Sequence, residues 1–242
     1  MLDTGDASIL ATKLPGTRSR EVALVALANY AKFTGRYERF KEIKKMYDLK
    51  WSTSNSTQFF ERFFDEQTSL DSMISKIREM IRVLPVRMAA VIRFACLVGL
   101  RASEAVESVR LLNVNLVHNY YNPQRQALEH FRFPEIFLRQ TKKAYISFLS
   151  TDNYHYFANL GCKPPTLNAI TLACRRKGIK MYMHLTRKIF ASHLIKSGIQ
   201  SEFVNLLQGR VDSDILTRHY LCPSDTLKSD VLRAVSNLAK LL

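Results

Sequence analysis

The chain has 242 residues, of which 47% are hydrophobic and 24% charged, an ordinary composition for a globular protein with a real core. Its 36 Lys and Arg against 21 Asp and Glu give a formal charge of +15, which points to a polyanionic partner, nucleic acid first. A membrane partner is not expected, because Arg93 interrupts the apolar stretch from Val86 to Leu100 and no secretory leader pattern opens the chain; a cytoplasmic location is expected instead.

By length, one large domain or two smaller ones are open, and two are expected, with a boundary near residue 66. The first dozen residues are small, polar and lightly patterned, and Pro15-Gly16 reads as a turn. A helix is predicted over 19–33, with Val22, Leu24, Val25, Leu27, Ala28 and Ala31 as a broad apolar face and Gly35 as its stop. A second is predicted over 37–47, carrying Arg36, Arg39, Lys41, Lys44 and Lys45 on its other face as candidate DNA contacts. After the polar break at 52–56 comes a helix over 57–65.

From Ser69 onward the pattern is longer and more apolar, predicting helices over 70–83 and 86–98, divided by Pro85 and closed by Gly99. Most of the positive excess falls in this larger part. Helical period fails between 114 and 150, where β-rich runs at 115–121, 130–138 and 144–149 predict a small antiparallel sheet with a turn at 139–143. Helices return over 165–176, 186–197, 201–207 and 225–242. The last has Leu227, Val231, Val235 and Leu238 as one stripe, which packs either on its own domain or on a neighbouring subunit. The expected class is α+β, mainly α. Cys96, Cys162, Cys174 and Cys222 are scattered without metal-ligand spacing, so neither a zinc site nor a disulfide framework is expected.

Three short stretches carry potential chemistry. In Gly99-Leu100-Arg101-Ala102-Ser103-Glu104 a glycine ends a buried helix, an arginine follows, and Ser103 is placed to cap the next helix. In His184-Leu185-Thr186-Arg187-Lys188-Ile189-Phe190-Ala191-Ser192-His193-Leu194, His184 and Arg187 sit three apart on one helical face, and Phe190, Ala191 and Leu194 would anchor it. The third is Leu207-Gln208-Gly209-Arg210, followed by Thr217-Arg218-His219-Tyr220. Singly, these read more simply as a surface arginine, a capping or core histidine and a packing tyrosine. Their order and spacing together read differently. Metal-free cleavage of a phosphodiester needs a nucleophile, cations on the non-bridging oxygens, a proton donor and a proton acceptor, and this set supplies all four.

The three stretches resemble the boxes of the tyrosine recombinase (phage integrase) family: G-L-R-x-S-E, H-x-x-R-[HK]-x-F-A-[ST]-x-L, and L-G-H with a tyrosine nine or ten residues beyond. The nearest subgroup by pattern is the archaeal virus and plasmid integrases. The resemblance covers residues 66–242 in order, and residues 19–65, within an expected core-binding domain of residues 1–65, are similar at the level of pattern to that family's DNA-clamping domain. It implies Tyr220 as nucleophile, Arg101 and Arg187 on the scissile phosphate, His184 moving the tyrosine proton and Glu104 supporting the surroundings of Arg101. It also implies a lysine on a β-turn as proton donor to the leaving 5′ oxygen, with Lys142 fitting best and Lys143 the alternative. Tyrosine, with an ordinary pKa of ~10, needs such cations and such an acceptor to attack at neutral pH.

Two positions depart from the pattern: Arg210 stands where histidine or tryptophan is usual, and Lys188 where histidine often follows. Arg210 can donate to phosphate but cannot serve as a base. His219 is an additional candidate beside Tyr220, and Lys188 a candidate DNA contact. The implied activity is site-specific recombination through a 3′-phosphotyrosine, with duplex DNA as partner, no cofactor and no metal. The protein would act as a homotetramer on DNA, be monomeric without it, and associate with the nucleoid when bound. The rival readings are type IB topoisomerase-like relaxation and a catalytically silent DNA-binding protein of the same fold.

Overall fold

Buried apolar side chains sort into two separate clusters, one built from residues 2–49 and the other from residues 73–238. The computed structural model describes residues 1–12, 18–49, 69–113, 119–139, 142–160, 164–210 and 226–242, and the chain divides into the units Met1–Asp65 and Glu66–Leu242. The helix expected over 57–65, and with it Cys162, Cys222, His219 and Tyr220, lies outside the described residues.

The first unit contains α1 (Ser8–Ala11), α2 (Arg18–Phe33) and α3 (Tyr37–Met46). Leu24, Ala28 and Ala31 follow helical spacing down one stripe of α2 and meet Phe40 and Ile43 of α3. Val22 and Val25, expected on that face, fall off the stripe and are exposed. The opening residues are less featureless than expected: Leu2, Ala7 and Leu10 are buried in the same cluster, so the lone apolar positions among the polar ones pack.

In the second unit, α4 (Leu70–Val83), α5 (Val86–Val98) and α6 (Ala102–Leu112) follow one another through short breaks. Ser69 caps α4, its hydroxyl accepting from the Ser72 amide at 3.2 Å. Nearly every position of α5 from Ala89 onward is buried, as its all-round apolar sequence requires. It is the central helix, packed on α4, α6, α10 (Met183–Lys196) and α12 (Leu227–Leu241). Full burial of such side chains contributes roughly 1.5–3 kcal/mol each.

The three-stranded sheet is antiparallel in the order β1 (Tyr121–Asn122), β2 (Ala127–Glu129), β5 (Ile146–Phe148), with Leu128 opposite both Tyr121 and Ser147. A second ladder joins β3 (Leu138–Arg139) to β4 (Lys142–Lys143). The strand expected over 130–138 is corrected: His130–Arg132 form a 3-10 turn and Pro134–Phe137 a short helix, α7, leaving Leu138–Arg139 extended. Pro134 has no amide proton for a ladder and its fixed φ suits the first turn of a helix. Of the turn expected over 139–143, residues 140 and 141 lie outside the described residues, and Arg139 pairs with Lys142, so both lysines lie on a strand. Strand β2 and helix α8 (Thr151–Ala158) were not anticipated.

Helices α9 (Leu167–Arg176) and α11 (Ser201–Leu207) complete the unit. Thr166 caps α9 through the Ala169 amide at 3.2 Å. The choice left open for the C-terminal stripe resolves toward its own domain: Val231, Ala234, Val235 and Leu238 are buried. The last carbonyls of α12 accept from Arg93 (to Ala239, 2.9 Å) and Arg78 (to Leu241, 2.5 Å), and His193 Nε2 lies 3.0 Å from the Ala234 carbonyl. No helix among the described residues is long and apolar enough to cross a membrane.

Candidate active site

Arg101 stands at the hinge between α5 and α6. Gly99 ends α5 with φ +67°, a left-handed conformation that suits glycine, and a Cβ there would fall 2.4 Å from the Phe190 ring. The first and second boxes therefore interlock by close packing of this turn on α10. Arg101 is the N-cap of α6. Its amide donates to Glu104 Oε2 at 3.0 Å, and its guanidinium donates to Glu104 Oε1 at 2.9 Å. The capping expected of Ser103 belongs to Glu104 instead, because Ser103 lies inside the first turn, whereas a carboxylate three residues past the cap reaches back to the cap amide. Glu104 is almost wholly buried, and Arg101 keeps part of its surface open.

Arg187 projects from α10 and is clamped by backbone from the other two boxes. One terminal nitrogen donates to the Gly99 carbonyl at 3.0 Å and the other to the Gln208 carbonyl at 2.9 Å. The Gln208 side-chain amide returns a bond to the Arg187 carbonyl at 2.7 Å. A guanidinium has five N–H donors, so this clamp fixes the plane and leaves donors for an anion. Burial, with the like charges of Arg101 and Arg210 and against the pull of Glu104, brings Arg187 down to about 10, still protonated at neutral pH. Arg101 and Arg210 thus both act electrostatically on Arg187.

The third box also meets the lysine strand. Gly209 has φ +68°, and a Cβ on it would lie 2.7 Å from the Ala144 nitrogen and 2.8 Å from the Lys143 carbonyl carbon. Only a glycine lets the backbone after α11 press on β4 so closely. Arg210 is exposed just beyond it. Lys142 is on β4 opposite Arg139, and Lys143 next to it is exposed.

His184 lies in the first turn of α10, exposed, one helical turn before Arg187 and Lys188. Partial burial, then the charges of Lys188 and Lys180, hold its imidazole below the usual histidine range, so it is neutral at pH 7. Nearby, Lys76 and Lys180 sit 5.9 and 6.0 Å from the Tyr182 ring centroid. Gln208 is the residue whose contribution sequence reading did not assign; its place directly before Gly209 was the available signal.

The cations expected to touch DNA from the first unit are arranged differently. Arg36 is ion-paired with Asp3, Arg39 with Glu42 at 3.0 Å, and Lys41 with Glu38 at 2.7 Å. Lys44 and Lys45 lie in the last turn of α3, where positive charge complements the helix dipole.

A family model described as archaeal phage integrase matches residues 72–229, a span that includes all three boxes, the lysine strand and Tyr220. The chain belongs to the archaeal phage integrase family. No curated protein and no solved structure matches it. Membership makes this a recombinase-type protein with DNA as its partner. In that setting, the integrase presents Arg187, clamped by two backbone carbonyls, with the positive charges of Arg101 and Arg210 acting on it.

Proposed function

We propose that this integrase is a tyrosine site-specific recombinase in which Tyr220 attacks a DNA phosphodiester held by Arg101 and Arg187. The observation that carries the reading is the convergence of Arg101, Arg187 and Arg210 from three separate stretches, with the Arg187 fork clamped by the Gly99 and Gln208 carbonyls. Forks held in plane match the paired oxygens of a phosphate and stabilise the charge that builds there as the bond breaks.

In the proposed reaction the Tyr220 oxygen bonds to phosphorus, the bond to the 5′ oxygen breaks, and a 3′-phosphotyrosine and a free 5′-hydroxyl result. Neutral His184 takes the phenolic proton, with His219 as an additional acceptor. Lys142, or Lys143 beside it, gives a proton to the leaving oxygen. Arg210 adds charge to the phosphate, and Glu104 holds Arg101 in place. The 5′-hydroxyl of a partner strand then reverses the step, exchanging one phosphate ester for another without an external energy source. Residues 66–242 form the catalytic domain, and residues 1–65, with Arg36, Arg39, Lys41, Lys44 and Lys45, clamp the duplex. Lys188 grips backbone phosphate beside the site. The assembly is a homotetramer on two viral or plasmid attachment sites, formed from monomers in the cytoplasm.

The test is a duplex nicked near the cleavage point, so that the short 5′-hydroxyl fragment diffuses away and traps the covalent intermediate. A protein–DNA adduct that disappears in Tyr220→Phe is expected, and no adduct on attachment-site DNA would defeat the reading. Relaxation of plasmid without strand exchange would instead favour topoisomerase activity.

A further inference from the structure

A chain of buried hydrogen bonds runs behind the Arg101 turn. The Ser108 hydroxyl of α6 is 2.6 Å from the Tyr120 hydroxyl, which is 2.8 Å from His130 Nδ1. His130 Nε2 is 2.8 Å from the Ser147 hydroxyl of β5, which donates to the Val98 carbonyl at 3.3 Å. All four side chains are buried, Ser108, Tyr120 and His130 completely.

The direction of every proton in the chain follows from its ends. A carbonyl only accepts, so Ser147 spends its proton on Val98 and must accept from His130 Nε2–H. The neutral imidazole has one N–H, so Nδ1 is the acceptor and Tyr120 donates to it. Tyr120 has then used its proton, and Ser108 donates to the tyrosine oxygen. Burial brings His130 down to about 3, so the neutral ring that this order requires is the stable form at any physiological pH. Bonds aligned head to tail in a dry interior polarise one another.

The two ends of this chain hold the two flanks of one turn. Val98 is the last residue of α5, Gly99 and Leu100 follow, and Arg101 begins α6, on which Ser108 lies. We propose that the buried chain Ser108–Tyr120–His130–Ser147 positions Arg101 for the scissile phosphate, with His130 as its directional link. The proposal rests on the reading of Arg101 as a phosphate-binding residue. Arg101 itself takes no part in the chain; the chain sets where α5 ends relative to where α6 runs, and so where the guanidinium points.

The test uses the full-length protein with Tyr120→Phe and Ser147→Ala, each of which removes a single oxygen and avoids the larger disturbance of replacing His130. Amide hydrogen exchange is measured over residues 98–104 and, as an internal reference, over α9. Single-turnover cleavage of the nicked duplex is measured in the wild-type and Arg101→Lys backgrounds. Exchange at 98–104 rises while α9 is unchanged, and cleavage falls by about tenfold to a hundredfold, the scale of a small misplacement of a reacting group, with DNA affinity retained. In the Arg101→Lys background the same substitutions cost much less, because the group they position is already altered. Unchanged exchange at 98–104 in both variants overturns the proposal alone, and so does an equal fold-loss in both backgrounds. Arg101→Lys cleaving at the wild-type rate overturns the phosphate reading of Arg101, and the positioning role with it.

Discussion

Helix α3 and the arginine site of the second unit carry their positive charge in opposite ways. On α3 and its N-cap, Arg36, Arg39 and Lys41 each have a carboxylate partner on the surface, Asp3, Glu42 and Glu38. In the second unit, Arg187 feels the like charges of Arg101 and Arg210 and the pull of Glu104, the acid that pairs with Arg101, and is itself held by carbonyl oxygens. Pairing at the surface keeps each charge near neutral balance and contributes little. Crowding like charges in a partly dry turn costs stability, and the folded state tolerates it because two backbone carbonyls hold the Arg187 fork. A phosphate entering such a place relieves repulsion as it forms bonds. Net charge thus points to a polyanionic partner, whereas unbalanced charge on rigid backbone points to the place proposed for chemistry on it.

The strongest way to break this contrast is Arg187→Ala. Removing a preorganised donor from a developing oxyanion costs about 10²–10³ in rate, so cleavage of the nicked duplex should fall by that order. Folding, measured by thermal unfolding, and non-specific DNA affinity, measured by filter binding, should be retained, since the substitution also relieves repulsion among the arginines. Cleavage at the wild-type rate would show that the crowded cluster is structural and not catalytic.

Much of this arrangement was legible in the residues, and the reasons differ by region. Helices α4, α5 and α11 coincide with their expected limits because apolar spacing marks them locally, with Pro85 and Gly99 bounding the first two. The strand expected over 130–138 failed because its alternating pattern ignored Pro134, and because His130 is fixed by long-range bonds to Tyr120 and Ser147 that no local period encodes. At the site, the spacing of the boxes singled out Arg101, Arg187 and Arg210, and Arg187 feels the charges of the other two. Their means of support were invisible. That Gly99 abuts Phe190, that Gly209 abuts β4, and that Gln208 grips Arg187 from both its backbone and its side chain are facts of tertiary packing. Tyr220 and His219 lie outside the described residues, and the sequence pattern alone places them in the proposal.

A smaller effect sharpens the contrast between paired and unpaired cations. Removing one cation that neutralises a backbone phosphate should lower the slope of log K against log salt by about 0.9. Lys188 is exposed on α10 with no ion pair among the described residues, so Lys188→Gln should lower the slope by close to that amount. Arg39 must first release Glu42, so Arg39→Gln should lower it less. Fluorescence anisotropy titrations from low to moderate salt measure both. A larger change for Arg39→Gln would reverse the assignment of which unit holds the backbone more firmly.

The smallest expected effect concerns His184, whose neutrality the proposed proton transfer requires. Partial burial and the charges of Lys188 and Lys180 hold it below 6.5, so in the free protein its ring should titrate by NMR with a midpoint under that value. The sign follows from the charged form being the disfavoured one: the folded protein takes up this proton less readily than the unfolded chain, so the contribution of His184 to stability declines as pH falls through 6.5. Bound duplex DNA brings phosphate charge beside Lys180 and Lys188 and offsets their effect, so the midpoint should rise on binding. The same rise should be smaller in Lys188→Gln, where part of the depression is already gone. A midpoint unmoved by DNA would separate His184 from the phosphate-binding face and leave the crowded arginines without their proton acceptor.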